Sequence, residues 1–201
     1  MNISVIELRN YLLKPGALEA FATHFNKYFI KPQALLGGHV LGEYGVAGHP
    51  DRFYWIRGFE SMQSRSRFLP AFYGGTVWET YGPAANEMML EWQDVYLLKP
   101  HPSPFVEANL FDDLNTPLRV DHYRARDNLA ELQELLITNN TTASTAWISE
   151  MAKNDFPRLP VFQYPDLLTI ISSTDSKTGE LKEKEQSTLI NSRASLILHP
   201  L

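Results

Sequence analysis

The sequence contains no cysteine. Its absence excludes disulfide bonds, iron–sulfur clusters, cysteine-ligated zinc and a thiol nucleophile. Histidine is sparse, and its six residues show neither the HExxH pattern nor any other spacing of a dedicated transition-metal site. A haem needs only one axial histidine, so the spacing of the histidines neither supports nor excludes haem binding. We expect no metal and no other cofactor.

Basic residues are few and dispersed. The 18 Lys and Arg residues are outnumbered by 23 Asp and Glu residues, which gives a formal net charge of -5. A protein that binds the nucleic-acid backbone needs a clustered basic face, and no basic block occurs in this sequence. We therefore expect no nucleic-acid partner.

Long apolar runs are missing as well. The longest stretch without a charged residue, Leu135–Ser149, is rich in Asn, Thr and Ser and cannot span a bilayer. Charged residues appear at Glu7 and Arg9 before any apolar segment, so no secretory signal is expected. These features predict a cytoplasmic protein without a membrane partner.

Motifs for phosphate binding and for a serine nucleophile are absent too. Gly37-Gly38 and Gly74-Gly75 lack the context of a phosphate-binding loop, and no GxSxG pattern occurs. Aromatic residues, in contrast, make up 12% of the chain, which is enough to line an apolar pocket. Hydrophobic residues at 44% and charged residues at 20% are typical of a globular protein.

The first hundred residues predict the order β-α-β-β-α-β. Period-2 runs indicate strands, apolar residues three and four apart indicate helices, and Gly and Pro separate them. The predicted elements are a strand at Ile3–Leu13, a helix at Ala17–Ile30, strands at His39–Val46 and Arg52–Phe59, a helix from Ser61 to Phe72, a second helical stretch from Thr76 towards Leu90 that is kinked or broken at Gly82-Pro83, and a strand at Glu91–Leu98. This is the ferredoxin-like order.

Residues 118–201 repeat that order in a degenerate form. The predicted elements are a strand at Leu118–Arg124, a helix at Asn128–Ile137, strands at Ser144–Ala152 and Leu167–Ser173, a short charged segment at Lys177–Ser187 in place of a long helix, and a strand at Ala194–His199. We therefore expect a ferredoxin-like domain at 1–100, a linker at 101–117 and a degenerate second domain at 118–201.

The fold class predicted from this pattern is α+β. Each four-stranded sheet covers one face with its own helices, and its other face needs a partner. A chain with two such halves can pack its two sheets face to face, as in an α+β barrel. Because open sheet edges tend to be paired or covered, we also expect a homodimer.

Three stretches of the first half carry a family resemblance. They are Ile6–Gly16, Arg52–Ser61, and Arg65–Arg67 followed by Phe72-Tyr73 and Trp78. In this order they resemble the opening strand and turn, the third strand and helix cap, and the arginine-containing helix of the NIPSNAP family, which belongs to the dimeric α+β barrel superfamily. The resemblance implies that fold, and the superfamily includes cofactor-free monooxygenases, haem-handling proteins and small isomerases or decarboxylases. The second half matches in element order only.

Polar residues mark one face of the first strand. Alternation places Glu7, Arg9 and Tyr11 together, and Trp55 with Arg57 share a face on a neighbouring strand. An arginine among aromatic rings suits a carboxylate, a phenolate or an enolate, but the same residues could form an ion network that joins two sheets. We expect both guanidiniums on the barrel side, with at least one bonded to a carboxylate or a bound anion.

His39 and Glu43 lie four residues apart on one predicted strand. They are expected to share a face, either as an acid–base pair or as a solvated pair near the strand entrance. Arg65 and Arg67 are expected to form surface ion pairs, and Trp78 and Trp92 are expected to pack in the core.

Two functions from different classes fit these observations. In the first, the protein is a cofactor-free monooxygenase or isomerase that binds a small, mostly apolar organic ligand between the N-terminal sheet and its helices or partner sheet. Arg9 or Arg57 would stabilise a developing oxyanion, His39 or Glu43 would move a proton, and Glu7, Tyr11 and Trp55 would contact the ligand. In the second, the protein is a non-enzymatic binding or scaffold protein whose polar face is structural.

Overall fold

The computed structural model describes residues 2–102, 110–111, 116–139, 144–174 and 188–201, with only the backbone of 137–139. Most of the predicted linker, at 103–109 and 112–115, lies outside the described residues. The predicted charged segment Lys177–Ser187 lies outside them as well.

The N-terminal half has the predicted β-α-β-β-α-β order, with each helical region split into two helices. Its elements are β1 (Val5–Leu13), α1 (Leu18–Tyr28), α2 (Ile30–Leu35), β2 (His39–Val46), β3 (His49–Phe59), α3 (Met62–Tyr73), α4 (Thr76–Met88) and β4 (Met89–Pro100). Pro32 does not end the helical region, because it lies in the first turn of α2, where a backbone N–H has no helical partner. Of the two alternatives predicted at Gly82-Pro83, a kink or a break, the break does not occur, since α4 continues through Pro83.

The C-terminal half repeats the four strands with one described helix. Its elements are β5 (Leu118–Ala125), α5 (Leu129–Asn139), β6 (Ser144–Ser149), β7 (Leu167–Ser173) and β8 (Ile190–Pro200). Apart from shifted ends, these elements lie where the sequence predicts them.

The eight strands form one closed antiparallel barrel in the order β1-β3-β2-β8-β5-β7-β6-β4. Pairing within each half is extensive, as in the β1–β3 ladder from Val5–Phe59 to Leu12–Arg52. The halves meet through two short ladders, which join β2 to β8 around Gly45 and β4 to β6 around Lys99. The predicted fold, two tandem ferredoxin-like halves that form a barrel of the dimeric α+β type, is confirmed.

Closure of the barrel removes the reason given for a homodimer. Each of the eight described strands is hydrogen-bonded on both sides, so the expected open edges do not occur among them. The homodimer stays a prediction, and sedimentation tests it at micromolar concentration. A species near 23.0 kDa, the mass of one chain, would contradict it.

Two distinct cores lie on the two faces of the N-terminal sheet. The barrel interior is apolar and draws on all eight strands, with Ile6, Leu8, Tyr54, Ile56, Leu118, Val120, Trp147, Ile171 and Leu198 among its buried members. The outer face packs against α1–α4 through an aromatic core that includes Phe21, Phe25, Phe53, Phe59, Phe68 and Phe72. Alternation along β1 therefore sends Ile6 and Leu8 into the barrel and sends Glu7, Arg9 and Tyr11 towards the helices.

None of the helices in the described ranges combines the length and the apolar character that a membrane crossing requires.

Candidate functional site

A single carboxylate, Glu7, lies at the centre of a buried cluster on the helix side of the N-terminal sheet. Arg57 Nη2 lies 2.6 Å and Arg57 Nε 2.9 Å from Glu7 Oε2. Arg9 Nη1 donates to the same oxygen at 2.8 Å, and Arg65 Nε donates to Oε1 at 2.7 Å. All four side chains are at most 1% exposed, so the cluster has no direct contact with bulk solvent.

Strand register explains why three of these residues meet. Glu7 is paired directly with Arg57, and Arg9 is paired with Trp55, in the β1–β3 ladder. Directly opposed residues on adjacent antiparallel strands point to the same face, so their side chains are in contact. The sequence prediction that these residues share a face is confirmed.

The fourth residue, Arg65, comes from α3, and sequence analysis placed it wrongly on the surface. Ser61 caps this helix, because its hydroxyl accepts the backbone N–H of Ser64 while the Ser64 hydroxyl accepts that of Ser61. Arg65 then lies on the same stripe as the buried residues Phe68, Leu69 and Phe72. This i, i+3, i+4, i+7 spacing was the signal that could have predicted its burial.

The predicted orientation of the two arginines is also wrong. Arg9 and Arg57 face the helices, because the opposite face, with Ile6 and Leu8, fills the apolar barrel interior. A guanidinium in that interior would lack a counter-charge, whereas Glu7 lies on its own side of the sheet. The accompanying prediction, that at least one guanidinium bonds a carboxylate, is confirmed for both.

The cluster is electrostatically unbalanced. Three guanidiniums around one carboxylate leave a net charge of +2 in a buried site. Burial alone raises the pKa of Glu7, but the guanidiniums of Arg57, Arg9 and Arg65 outweigh it and hold that pKa well below its usual range. The nearest additional carboxylate, Asp155, is 3.9 Å from Arg65 and 44% exposed, so water screens much of its charge.

Two phenols accept hydrogen bonds from this cluster. Arg9 Nε donates to the Tyr11 hydroxyl at 2.7 Å. Arg57 Nη1 donates to the Tyr73 hydroxyl at 3.3 Å and to Gln33 Oε1 at 3.1 Å. Burial raises the pKa of Tyr11, so this phenol keeps its proton at neutral pH.

Trp55 forms an aromatic wall beside the arginines. Its ring centroid lies 5.5 Å from the Arg9 guanidinium and 5.1 Å from that of Arg57, within the range of cation–π attraction. Its indole N–H is buried and has no hydrogen-bond partner among the described residues.

A small cavity and a larger cleft adjoin these phenols. The inner cavity, about 30 Å³, lies among Tyr11, Gln33 and Trp55 and the aromatic residues of α1 to α4. The outer cleft, about 400 Å³, shares Tyr11, Tyr73, Trp78 and Met89 with it. The rest of its lining is Asn86, Trp92, Phe156, Arg158 and Leu159. Of these two volumes, the cleft is large enough for an organic molecule, whereas the inner cavity suits one or two waters.

His39 and Glu43 do not form the expected pair. A β-bulge between Val40 and Gly42 shifts the alternation of β2, so His39 is paired with Gly58 and Glu43 with Trp55, on opposite faces. Glu43 accepts a hydrogen bond from Asn26 Nδ2 at 3.0 Å, and burial raises its pKa to about 7. Neither residue lines the cleft.

Sequence analysis missed Tyr73 as a cleft residue and assigned Trp78 and Trp92 to the core. The prediction for Trp92 is wrong, because this residue is 40% exposed and lines the cleft. Tyr73 follows Arg65 by eight residues on α3, so helical periodicity places the two on one face. The segment that contributes Phe156, Arg158 and Leu159 lacks regular periodicity, so its contact with the N-terminal half could not be predicted from a local pattern.

No group of three or more His, Asp or Glu residues within the described ranges could hold a metal ion.

Comparison with known proteins agrees with this architecture. The NIPSNAP family model matches residues 6–104. No curated protein sequence matches the chain. An uncharacterized NIPSNAP-like domain protein from Burkholderia xenovorans is 25% identical over 52% of this chain and 91% of its own, with a TM-score of 0.45.

Two solved structures cover both halves. A “putative monooxygenase” from Lactobacillus acidophilus NCFM has a TM-score of 0.60 at 14% identity, over 98% of this chain and 93% of its own. A protein of the same description from Fusobacterium nucleatum has a TM-score of 0.62 at 8% identity, over 100% and 93%. These proteins share the tandem fold. Residues 6–104, which contain the whole arginine cluster and the strands and helices that hold it, are a NIPSNAP domain.

Proposed function

We propose that the protein binds a small, mostly apolar organic molecule in the outer cleft, which lies between its N-terminal half and residues 156–159. The observation that carries this proposal is the cleft of about 400 Å³, whose lining combines aromatic rings with a few polar groups. This volume and this mixture are typical of small-molecule sites. The cleft also lies directly over the two phenols that contact the positively charged cluster.

Within this proposal, the reaction is a cofactor-free monooxygenation or isomerisation that begins from a ligand anion. The net positive charge below the cleft favours such an anion. Because Arg9 and Arg57 are buried, they act on it through Tyr11 and Tyr73 rather than by direct contact. In the monooxygenation, the substrate supplies the electrons to molecular oxygen. A CH₂ group becomes a carbonyl, and the second oxygen atom leaves with both hydrogens as water.

The alternative is a binding or scaffold protein without turnover. One observation favours it: the Glu7 network is fully buried and ties β1 and β3 to α3. In addition, no carboxylate or histidine occurs among the described residues that line the cleft, so a general base of the usual type is absent from that part of the chain.

Blocking the cleft tests the proposal. Asn86 is an exposed cleft residue on α4, and its neighbour Glu87 is exposed outside the cleft. We expect wild-type protein and Glu87→Trp to bind 1-naphthamide in calorimetric titrations, whereas Asn86→Trp binds it at least tenfold more weakly. Equal binding by both variants, or binding of neither 1-naphthamide nor 1-naphthoate by the wild type, contradicts the proposal.

Oxygen uptake separates the enzyme from the scaffold. Anthrone contains an acidic CH₂ that monooxygenation converts to a carbonyl. Uptake that the wild type and Glu87→Trp accelerate, and Asn86→Trp does not, supports the enzyme. Binding of 1-naphthamide without accelerated uptake of oxygen favours the non-enzymatic alternative.

A further inference from the structure

We infer that the cleft selects ligands with an anionic oxygen, a carboxylate, phenolate or enolate, and that the hydroxyls of Tyr11 and Tyr73 donate the hydrogen bonds that recognise it. This inference rests on the proposed function and specifies its ligand class. Tyr73, from α3, becomes a binding residue alongside Tyr11, from β1.

The hydrogen-bond inventory of the two phenols carries the first step. A phenol has one proton to donate and can also accept. Arg9 and Arg57 hold only donors, so each of these tyrosine oxygens is an acceptor in its bond to arginine. Among the described residues neither hydroxyl donates to an acceptor, which leaves both protons available to a ligand.

The arginines also strengthen these donors. A guanidinium keeps its proton throughout the physiological pH range, so its role as donor is fixed. A hydroxyl that accepts from a cation becomes a stronger donor, because linked hydrogen bonds polarise one another. Each of the two phenols therefore still has a proton to donate, and an oxygen that carries negative charge is a suitable acceptor for it.

Charge balance points the same way. The buried cluster has a net charge of +2, and among the described residues its additional carboxylate neighbour is Asp155, which is 44% exposed and therefore partly screened by water. No acidic residue occurs among the described residues that line the cavity or the cleft, while Arg158 lies in the cleft lining. An anionic ligand would supply the missing counter-charge, whereas a cationic ligand would be repelled.

The shape of the site limits where the anionic group can lie. Tyr11 and Tyr73 line both the inner cavity and the outer cleft, so they stand where the two volumes meet. The inner cavity of about 30 Å³ is too small for an aromatic ring. We therefore place the anionic oxygen at this junction and the apolar body of the ligand outside it, against Trp78 and Trp92.

A matched pair of probes tests the inference. The compounds 1-naphthoate and 1-naphthamide have nearly the same shape and differ in charge. Calorimetric titration of wild-type protein at neutral pH should give at least tenfold tighter binding of the naphthoate. A tenfold difference corresponds to about 1.4 kcal/mol, which is within what a hydrogen bond to a charged group contributes.

Tyr73→Phe is the decisive variant. It removes a hydroxyl from a half-buried ring, and Arg57 retains its bonds to Glu7 and Gln33, so the fold should persist. We expect about tenfold weaker binding of naphthoate and a clearly smaller loss for naphthamide, whose neutral carbonyl oxygen accepts a weaker hydrogen bond. The control is Tyr81→Phe, which alters another half-buried tyrosine that stacks on Tyr28 outside the cleft and should change neither affinity. Tyr11→Phe should reproduce the effect of Tyr73→Phe if it folds.

The outcomes separate this inference from the proposed function. Equal binding of both probes by the wild type contradicts the inference and leaves the proposed function standing. Binding of neither probe contradicts both. If Tyr73→Phe weakens both probes equally, Tyr73 is a packing residue and the inference is wrong. The inference is also wrong if the Tyr73→Phe protein still prefers naphthoate while the Arg158→Gln protein does not. In that case Arg158, rather than the two tyrosines, would bind the carboxylate.

Discussion

The two halves of the barrel carry comparable polar clusters on their outer faces, and they differ mainly in burial. In the C-terminal half, Asp121 is buried and bonds Arg119 at 2.8 Å and Arg193 at 3.2 Å. These two arginines are 29% and 32% exposed, whereas the three arginines around Glu7 are at most 1% exposed. The C-terminal cluster can therefore exchange its ion pairs for hydration, and the N-terminal cluster cannot.

Tyrosines show the same contrast. Tyr11 accepts a hydrogen bond from Arg9 and lines the cleft, whereas Tyr123 of β5 offers its ring face to Arg193 at 5.2 Å. Helix α3 makes the difference in the N-terminal half, because it contributes Arg65 and Tyr73 and covers the cluster. The charged residues of β1 and β3 therefore form a candidate binding site because α3 excludes water from them. In the absence of water their electrostatic interactions are stronger.

The largest expected effect compares the two central acids. Glu7→Gln leaves three buried guanidiniums without a counter-charge and should cost at least about 3–5 kcal/mol of unfolding free energy. Asp121→Asn should cost about 1–3 kcal/mol, since Arg119 and Arg193 remain hydrated. Urea denaturation measures the unfolding free energy of both variants. Equal losses would contradict the claim that the two clusters differ in burial.

The next effect compares one arginine from each cluster. Arg9→Ala strands part of the charge on Glu7 and removes the bond to Tyr11, so we expect a loss of about 3–5 kcal/mol. Arg119→Ala removes a partly hydrated ion pair and should cost about 1 kcal/mol or less. A mild effect of Arg9→Ala combined with complete loss of ligand binding would instead indicate a water-accessible Arg9.

A third prediction concerns acid stability and the C-terminal half. His122 lies in the barrel interior, where its Nδ1 is 2.8 Å from the Thr169 hydroxyl and burial lowers its pKa to about 4. Because the unfolded chain binds this proton near pH 6.5, stability is full above pH 6.5 and falls as the pH drops towards 4, by about 3 kcal/mol in total. His122→Gln should flatten that part of the pH profile, and an unchanged slope would show that His122 is not buried as a neutral group.

The smallest effect comes from the N-terminal half and has the opposite sign. The pKa of Glu43 is raised to about 7, so the folded state holds a proton that the unfolded chain releases near its ordinary value of 4.5. Its contribution is present below pH 4.5 and is lost as the pH rises through 7. Glu43→Gln should abolish this decline in urea-denaturation profiles, and a wild-type slope in that variant would place the titration elsewhere.

The sequence predicted the order of the strands and helices and the residues that share the polar face. Both follow from local periodicity, which Ile6 to Leu12 display clearly. Local periodicity does not show which face of each strand points into the barrel. It depends on closure of the barrel, which requires apolar residues such as Ile6, Leu8 and Leu118 from both halves.

The failures at His39 and Arg65 have different causes. A β-bulge inserts one residue into β2 and reverses the alternation between His39 and Glu43. Gly42, at the bulge, was the local signal that could have indicated it. Arg65 was misplaced because its charge was given more weight than its apolar spacing with Phe68, Leu69 and Phe72. The cleft depends on the contact of residues 156–159 with α3 and α4, which is a tertiary contact that no local pattern encodes.

The central claim is that the N-terminal half binds the ligand, and the indole N–H signals of the four tryptophans test it most directly. Trp78 and Trp92 line the cleft, whereas Trp147 lies on β6 of the C-terminal half and donates to the Thr145 hydroxyl at 2.9 Å. In ¹H–¹⁵N spectra of labelled protein titrated with 1-naphthoate, we expect the signals of Trp78 and Trp92 to shift and that of Trp147 to stay unchanged. A shift of Trp147 alone, or no shift at saturating naphthoate, would contradict the account.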